Sequence, residues 1–236
     1  LARTKKVKFF RDLTLHSKIA IAATLILIFV GAAFIFAFEY NNPQTMGDYT
    51  LLQKIEVSLF QSVTTRTAGF ATVPQENLTN ASAIVCLLLM FIGGSPVGTA
   101  GGIKTVTFAV IIVAAIASIR NKEDTEVFGR RLTKQAVSKA VAVTCMSFII
   151  MFTSTVLLSA VTDANALDIV YETVSATATV GLTRNLTVSL DSIGKLIIII
   201  TMYLGRVGPI SLAVAFKRNK DNQNIVRNPI EEISVG

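Results

Sequence analysis

The sequence predicts an all-α membrane protein of two successive repeats, each a spanning helix, a short pore helix, a filter loop and a second helix. Three observations carry this. Hydrophobic residues make up 52% of the 236 residues and charged residues only 16%, well below the roughly 25% usual in soluble domains. Most of the 22 basic residues fall in three blocks that flank apolar runs: Arg3 to Lys18, Arg120 to Lys139, and Lys217 to Arg227. The third is an internal repeat. "IEVSLFQSVTTRTAGF" (55–70) aligns without a gap on "LDIVYETVSATATVGL" (167–182), which pairs Thr65 with Thr177, Thr67 with Thr179 and Gly69 with Gly181.

Each element follows in order. The apolar run 17–40 is long enough to cross a bilayer, which takes about 20 residues. The polar segment 41–49 then leads to 50–64, too short and only moderately apolar for a crossing. A second long apolar region, 81–119, is interrupted at 91–105 by "FIGGSPVGTAGGIKT". A charged loop, 120–134, precedes a second spanning helix at 136–161. The run 167–178 is again short, and a last apolar helix covers 193–216. The positive-inside rule places all three basic blocks in the cytoplasm, so an even number of crossings separates consecutive blocks. Each half offers two long helices and one short one, so the short one must enter and return on the same side. Such a re-entrant segment is tolerated only where protein buries it or where it lines a watery cavity. The resulting units are a basic segment 1–16, a first repeat 17–119 with a broken second helix, a loop 120–135, a second repeat 136–216 and a tail 217–236. The leading Leu1 and the basic block behind it lead us to expect that a preceding half is missing.

The repeated Thr-x-Thr-x-Gly turn follows a short helix in both halves. A helix C-terminus carries partial negative charge, and an extended run of carbonyls can replace a cation's hydration shell, as in potassium-channel filters. Thr67, Ala68, Gly69, Thr179, Val180 and Gly181 are therefore the candidate ion-binding residues of a K⁺-channel-like pathway. The simpler alternative makes Gly69 and Gly181 plain helix C-caps. The acids Glu39, Asp48, Glu123, Asp124, Glu126 and Asp163 are expected at the periphery. Coordination by carbonyls rather than carboxylates suits a large, weakly hydrated cation better than a divalent one. One pore needs about four such turns, so either two copies assemble or another half-protein supplies the rest.

Other chemistries find little support. Cys86 and Cys145 lie in apolar runs, with no disulfide framework or metal spacing. His16 is the only histidine, and no catalytic constellation of an enzyme is present. "GTAGGIKT" departs from a phosphate loop because Ile103 separates the glycine from Lys104. The charge distribution points to the membrane surface and not to nucleic acid.

"SVTTRTAGF", "FIGGSPVGTAGGIKTVTF", "SATATVGLT" and "LGRVGPISLAVAF", in this order, resemble the Ktr/Trk/HKT superfamily of potassium transporters, and most of all its KtrB-like membrane subunits. The likeness covers essentially the whole chain, matched to the third and fourth of that family's four repeats. It implies potassium uptake by an ion-conducting subunit in the bacterial plasma membrane, often Na⁺-dependent, with both termini of this chain cytoplasmic. It needs no cofactor, with K⁺ as the transported ion. The implied partners are a second copy in a homodimer, the N-terminal half of the same subunit, and a cytoplasmic nucleotide-binding ring of the KtrA type. Without the first two repeats this chain alone should not conduct. The competing reading is a non-conducting membrane subunit of a larger ion pump.

The resemblance also makes the stretch 91–105 an intramembrane loop below the filter. Gly93, Gly94, Gly98, Gly101, Gly102 and Lys104 are then gate residues, the alternative being a glycine-broken packing helix. Arg206 joins them. It lies roughly 15 Å inside the end of the last apolar run, where an unpaired arginine costs about 2.5–3.5 kcal/mol. It is therefore expected to face the protein interior or the pore, unless it snorkels to the interface.

Overall fold

The structure, a computed structural model, describes residues 13–96, 100–122 and 124–208. Most of the basic segment 1–16, Gly98, the end of the last apolar run and the tail 217–236 lie outside the described residues.

Helix α1 (Leu15–Glu39) starts at Thr14, whose side chain accepts from the Ser17 amide. Its 25 residues span roughly 37 Å, enough to cross a hydrocarbon core of about 30 Å. Leu25, Ile26, Phe29, Phe34 and Phe38 stay exposed on its outer side, as lipid contact requires. Helix α2 (Leu51–Thr64) begins with a reciprocal capping box between Thr50 and Gln53, which satisfies two otherwise orphaned amides. Its 14 residues reach only about 21 Å. Its polarity is inverted: Ser58, Gln61, Ser62 and Thr64 are buried while Leu51, Leu52, Ile55 and Val63 are exposed.

A 3₁₀ turn (Gln75–Asn77) leads to α3 (Asn80–Phe91). The glycine-rich stretch then separates α3 from α4 (Thr105–Ile119). The second repeat comprises α5 (Lys134–Val161), α6 (Ala166–Thr177), a single turn α7 (Leu186–Ser189) and α8 (Ser192–Val207). Helices α1 and α5 are each long and apolar enough to cross a membrane. Helix α1 packs on α2, α3 and α4, and α5 packs on α6 and α8, so each repeat forms one compact group. The groups meet where α3 contacts α6 and α4 contacts α5.

The main core lies on that seam. Ile35, Met46, Cys86 and Met90 of the first repeat enclose Tyr171 and Val174 of α6. The fully buried Tyr171 hydroxyl donates to Gln75 Oε1 at 3.0 Å, which also accepts from Gln61 Nε2 at 2.6 Å. A tyrosine at this depth needs such a partner, so the seam carries its own polar satisfaction.

Four features add to or correct the sequence reading. The charged loop contains a minimal hairpin, β1 (Glu126–Val127) paired antiparallel with β2 (Arg130–Arg131). Phe128 and Gly129 both take positive φ, 49° and 71°, as a type I′ turn demands. Glu39 is not peripheral but fully buried, because four polar groups converge on it. It accepts from Asn42 Nδ2 at 2.7 Å, Thr45 Oγ1 at 2.6 Å, the Thr79 amide at 2.8 Å and Thr79 Oγ1 at 2.7 Å. Of the two cysteines only Cys86 is buried; Cys145 is exposed on the outer side of α5. Helix α8 ends at Val207, where Gly208 takes a φ of 81°.

Candidate functional site

The pore helices α2 and α6 end in turns with the same backbone signature. Thr67 and Gly69 have φ of 72° and 77°, and Thr179 and Gly181 have φ of 54° and 95°. Left-handed backbone at a threonine is unfavourable by roughly 1–2 kcal/mol, so its recurrence at matched positions is a built feature of both turns. In an extended strand successive carbonyls point to opposite sides. A left-handed residue at every second position turns them toward one side, as a ring of coordinating carbonyls requires.

Amides of both turns donate back into the pore helices. Ala68 and Gly69 donate to the Thr64 carbonyl at 3.1 and 3.2 Å, and Val180 donates to the Ser175 carbonyl at 2.9 Å. The Gly181 amide donates to Ser175 Oγ at 3.2 Å. With these amides turned back into the pore helices, the carbonyls of the turns are the candidate ligands. The turns lie side by side: a Cβ placed on Gly69 would stand 2.2 Å from the Val180 carbonyl oxygen. Of the six candidate ion-binding residues, Ala68 and Gly181 are exposed and Val180 is buried.

The glycine-rich stretch folds back on itself beneath these turns. Ile92 and Ile103 form a bridge, with the Ile103 amide donating to Phe91 O at 3.1 Å. Thr105 closes the base. Its amide donates to Gly94 O at 3.1 Å and its hydroxyl to Gly93 O at 3.0 Å. The Lys104 ammonium donates to Ala100 O. Two backbone amides and two side chains thus donate to four carbonyls of the described part of the loop, the kind of internal pairing that irregular backbone needs at membrane depth. Glycine is required by close approach. A Cβ on Gly93 would lie 2.4 Å from Gly101 O, and one on Gly101 would lie 2.6 Å from Ala178 O. The loop thus touches the end of α6 directly below the second turn.

Two arginines anchor the turns. Arg66 Nη2 donates to Thr105 Oγ1 at 2.8 Å, while its Nε is buried without a hydrogen-bond partner. The first turn is thereby tied to the base of the loop. Arg184 follows the second turn and pairs with Asp168 at 2.6 Å. It also donates to the carbonyls of Gln75 at 2.8 Å and Glu76 at 3.1 Å, in the other repeat. Only 9% of its side chain is exposed. The Asp168 side chain is 28% exposed, so removing the arginine costs about 1.5–3 kcal/mol, the scale of a hydrogen bond to a charged group, rather than the penalty of a fully buried pair. Arg184→Met is therefore expected to lower the thermal midpoint of the purified subunit by several degrees, with Arg184→Lys recovering part of the loss. An unchanged midpoint would show that the staple contributes nothing.

Arg206 sits in the last turn of α8 and is exposed on the surface of this chain, near Lys104. Interior packing goes to Thr201 and Gly205 instead, which are buried on the side of α8 facing α5 and α6. One further residue rotates the side chain about 100° away from that face. Glu172 was not among the expected site residues. It lies on α6, is buried, and lines a cavity of about 260 Å³ together with Thr179, Val180 and Gly181. The available signal was an acid inside an apolar pore segment, since intramembrane carboxylates mark function more often than packing.

The sequence profile of a family described as "TrkH: Cation transport protein" matches residues 3–227. The chain is 39% identical over 231 residues to "Ktr system potassium uptake protein B" of Bacillus subtilis (strain 168), covering 98% of this chain and 52% of that protein. It is 36% identical over 229 residues to the protein of the same name from Vibrio alginolyticus, covering 97% and 50%. It is 33% identical over 232 residues to "Potassium/sodium uptake protein NtpJ" of Enterococcus hirae, covering 96% and 51%. The chain thus spans about half the length of the curated relatives it matches. Its fold is similar to the crystal structure of the potassium transporter TrkH from Vibrio parahaemolyticus. The TM-score is 0.70 at 16% identity, over 84% of this chain and 44% of that one.

Proposed function

We propose a function from one premise: the chain belongs to the TrkH family of cation transport proteins. It supplies two of the filter turns of an ion-conducting subunit for potassium uptake, and its relatives are named for potassium or potassium/sodium uptake. The carrying observation is the pair of Thr-x-Thr-x-Gly turns with left-handed backbone at matched positions. Carbonyls of Thr67, Ala68, Gly69, Thr179, Val180 and Gly181 line the ion path, with two further turns from the other half of the subunit. K⁺ is the cargo, and Na⁺ is a candidate coupled ion. The subunit sits in the bacterial plasma membrane with both ends of this chain cytoplasmic. It works as a homodimer and is regulated by a nucleotide-binding ring of the KtrA type.

The loop acts as the gate. Gly93, Gly94, Gly101 and Gly102 lie beneath the turns, and Gly98 falls outside the described residues. Lys104 and Arg206 place positive charge at the loop, which lowers cation occupancy below the filter. The test is rubidium uptake by the full-length subunit in cells lacking their own potassium uptake. Uptake that saturates with rubidium and is competed by K⁺ supports the reading, and none above the empty vector refutes it. Deleting several residues of 93–102 should raise uptake severalfold at equal membrane expression. Uptake equal to the unmodified protein would eliminate the loop as gate.

A further inference from the structure

The two turns are braced by different chemistry. In the first, Thr64 Oγ1 both donates to Phe70 O at 2.6 Å and accepts from the Phe70 amide at 2.8 Å. A neutral hydroxyl thus closes that turn. The second turn has Ser175 Oγ under Gly181, but the segment beyond it is held by a charged group. Thr183 Oγ1 donates to Glu172 Oε2 at 2.7 Å and Thr187 Oγ1 donates to Glu172 Oε1. Both oxygens of one buried carboxylate are therefore occupied by hydroxyls that flank the chain leaving Gly181. The constant offset of the repeat places Phe60 opposite Glu172, and Phe60 is 40% exposed. Among the described residues, the carboxylate brace belongs to the second turn alone.

The second turn needs that brace. Thr179 and Gly181 are both left-handed, and so is Asn185 at 67°. A non-glycine residue in this region persists only where its surroundings over-determine it, at about 1–3 kcal/mol each. Glu172 projects from the rigid pore helix α6 and reaches past the turn to its far side. The same side chain walls the cavity behind Thr179, Val180 and Gly181. Carbonyl spacing in a filter distinguishes ions of similar charge, so a support that fixes the spacing fixes the preference.

The structure assigns Glu172 as the positioning residue of the second filter turn, holding it through Thr183 and Thr187 and thereby setting K⁺ preference over Na⁺. The inference rests on the conduction reading above. Hydrogen bonds to a charged acceptor are stronger than neutral ones. A glutamine side chain at this position would keep the volume and one carbonyl oxygen, so Glu172→Gln gives an intermediate effect and Glu172→Ala the full one.

The experiment measures competition of Na⁺ against rubidium uptake in the full-length subunit. For Glu172→Ala the Na⁺ concentration that halves uptake should fall about tenfold, the scale of one lost charged hydrogen bond. Thr183→Val with Thr187→Val leaves Glu172 in place and should give a comparable fall. Adding that pair to Glu172→Ala should produce no further change, because all three residues form one unit. The threonine pair keeps the test decisive if Glu172→Ala does not reach the membrane. Lower total uptake with unchanged Na⁺ competition in Glu172→Gln and in the threonine pair would make the role merely structural and overturn the assignment. A parent subunit that takes up no rubidium would instead refute conduction itself, so the two failures are distinguishable.

Discussion

Gly69→Ser in the full-length subunit should abolish most of the preference for K⁺ over Na⁺, more completely than Gly181→Ser. Two penalties coincide at Gly69. Its φ of 77° is left-handed, and its Cβ would lie 2.2 Å from the Val180 carbonyl oxygen. That oxygen is backbone and belongs to the neighbouring turn, so relief requires moving a second set of candidate ligands. At Gly181 the φ of 95° imposes strain, but the nearest atom to an added Cβ is the Gly69 Cα at 4.0 Å. Serine there strains its own turn without a collision. The Na⁺ concentration that halves rubidium uptake should fall by about tenfold or more in Gly69→Ser, corresponding to at least ~1.4 kcal/mol of lost discrimination. The fall should be smaller in Gly181→Ser. Equal competition curves for both variants and the parent would defeat the assignment of these turns to the ion path.

Gly205→Val should be the most damaging single change to the architecture. Helix α8 crosses the end of α6 at this residue, where an added Cβ would stand 2.1 Å from the Thr177 carbonyl oxygen and 2.8 Å from its carbon. Small residues at helix crossings let backbones approach in lipid, where no hydrophobic force between helices compensates a gap. Overpacking by even one methyl group typically costs about 1–3 kcal/mol, and here the obstacle is backbone. Thr177 is also the last residue of α6, so displacement passes directly into the second turn. Gly194→Ala is the matched control. Its nearest neighbours, Asp191 Oδ1 and Leu190 Cδ2 at 3.1 Å, are side-chain atoms that can yield. Thermal midpoints in detergent should drop strongly for Gly205→Val and little for Gly194→Ala. Equal midpoints would show that the crossing tolerates separation.

The helices were legible because each carries its signal locally. Apolar length separates α1 and α5 from the short α2 and α6. Cap residues mark the starts: Thr50 with Gln53, Thr133 before α5, and Asp191 before α8. The repeated turn could be read from spacing because glycine at positive φ leaves a trace in composition. The trace at Thr67 and Thr179 was weaker, since threonine does not announce a left-handed backbone, yet their pairing in the repeat located them.

Burial of charge followed different rules. Glu39 ends a spanning helix and reads as an interfacial acid. It is buried because Thr79, forty residues later, donates to it twice. Glu172 gains its meaning from Thr183 and Thr187 across the second turn, and Arg184 from carbonyls of the first repeat. Within this chain Gly205 takes the packed face of α8 and Arg206 is exposed near Lys104, because depth along a helix does not fix azimuth. By itself the sequence determined a membrane protein of two repeats, their helices, their repeated turns and the break between α3 and α4. These depend on hydrophobic length and backbone chemistry, which act over a few neighbouring residues. Only the tertiary structure decided which polar side chains support which turn, because hydrogen-bond partners at membrane depth are chosen by proximity in space and not by distance along the chain.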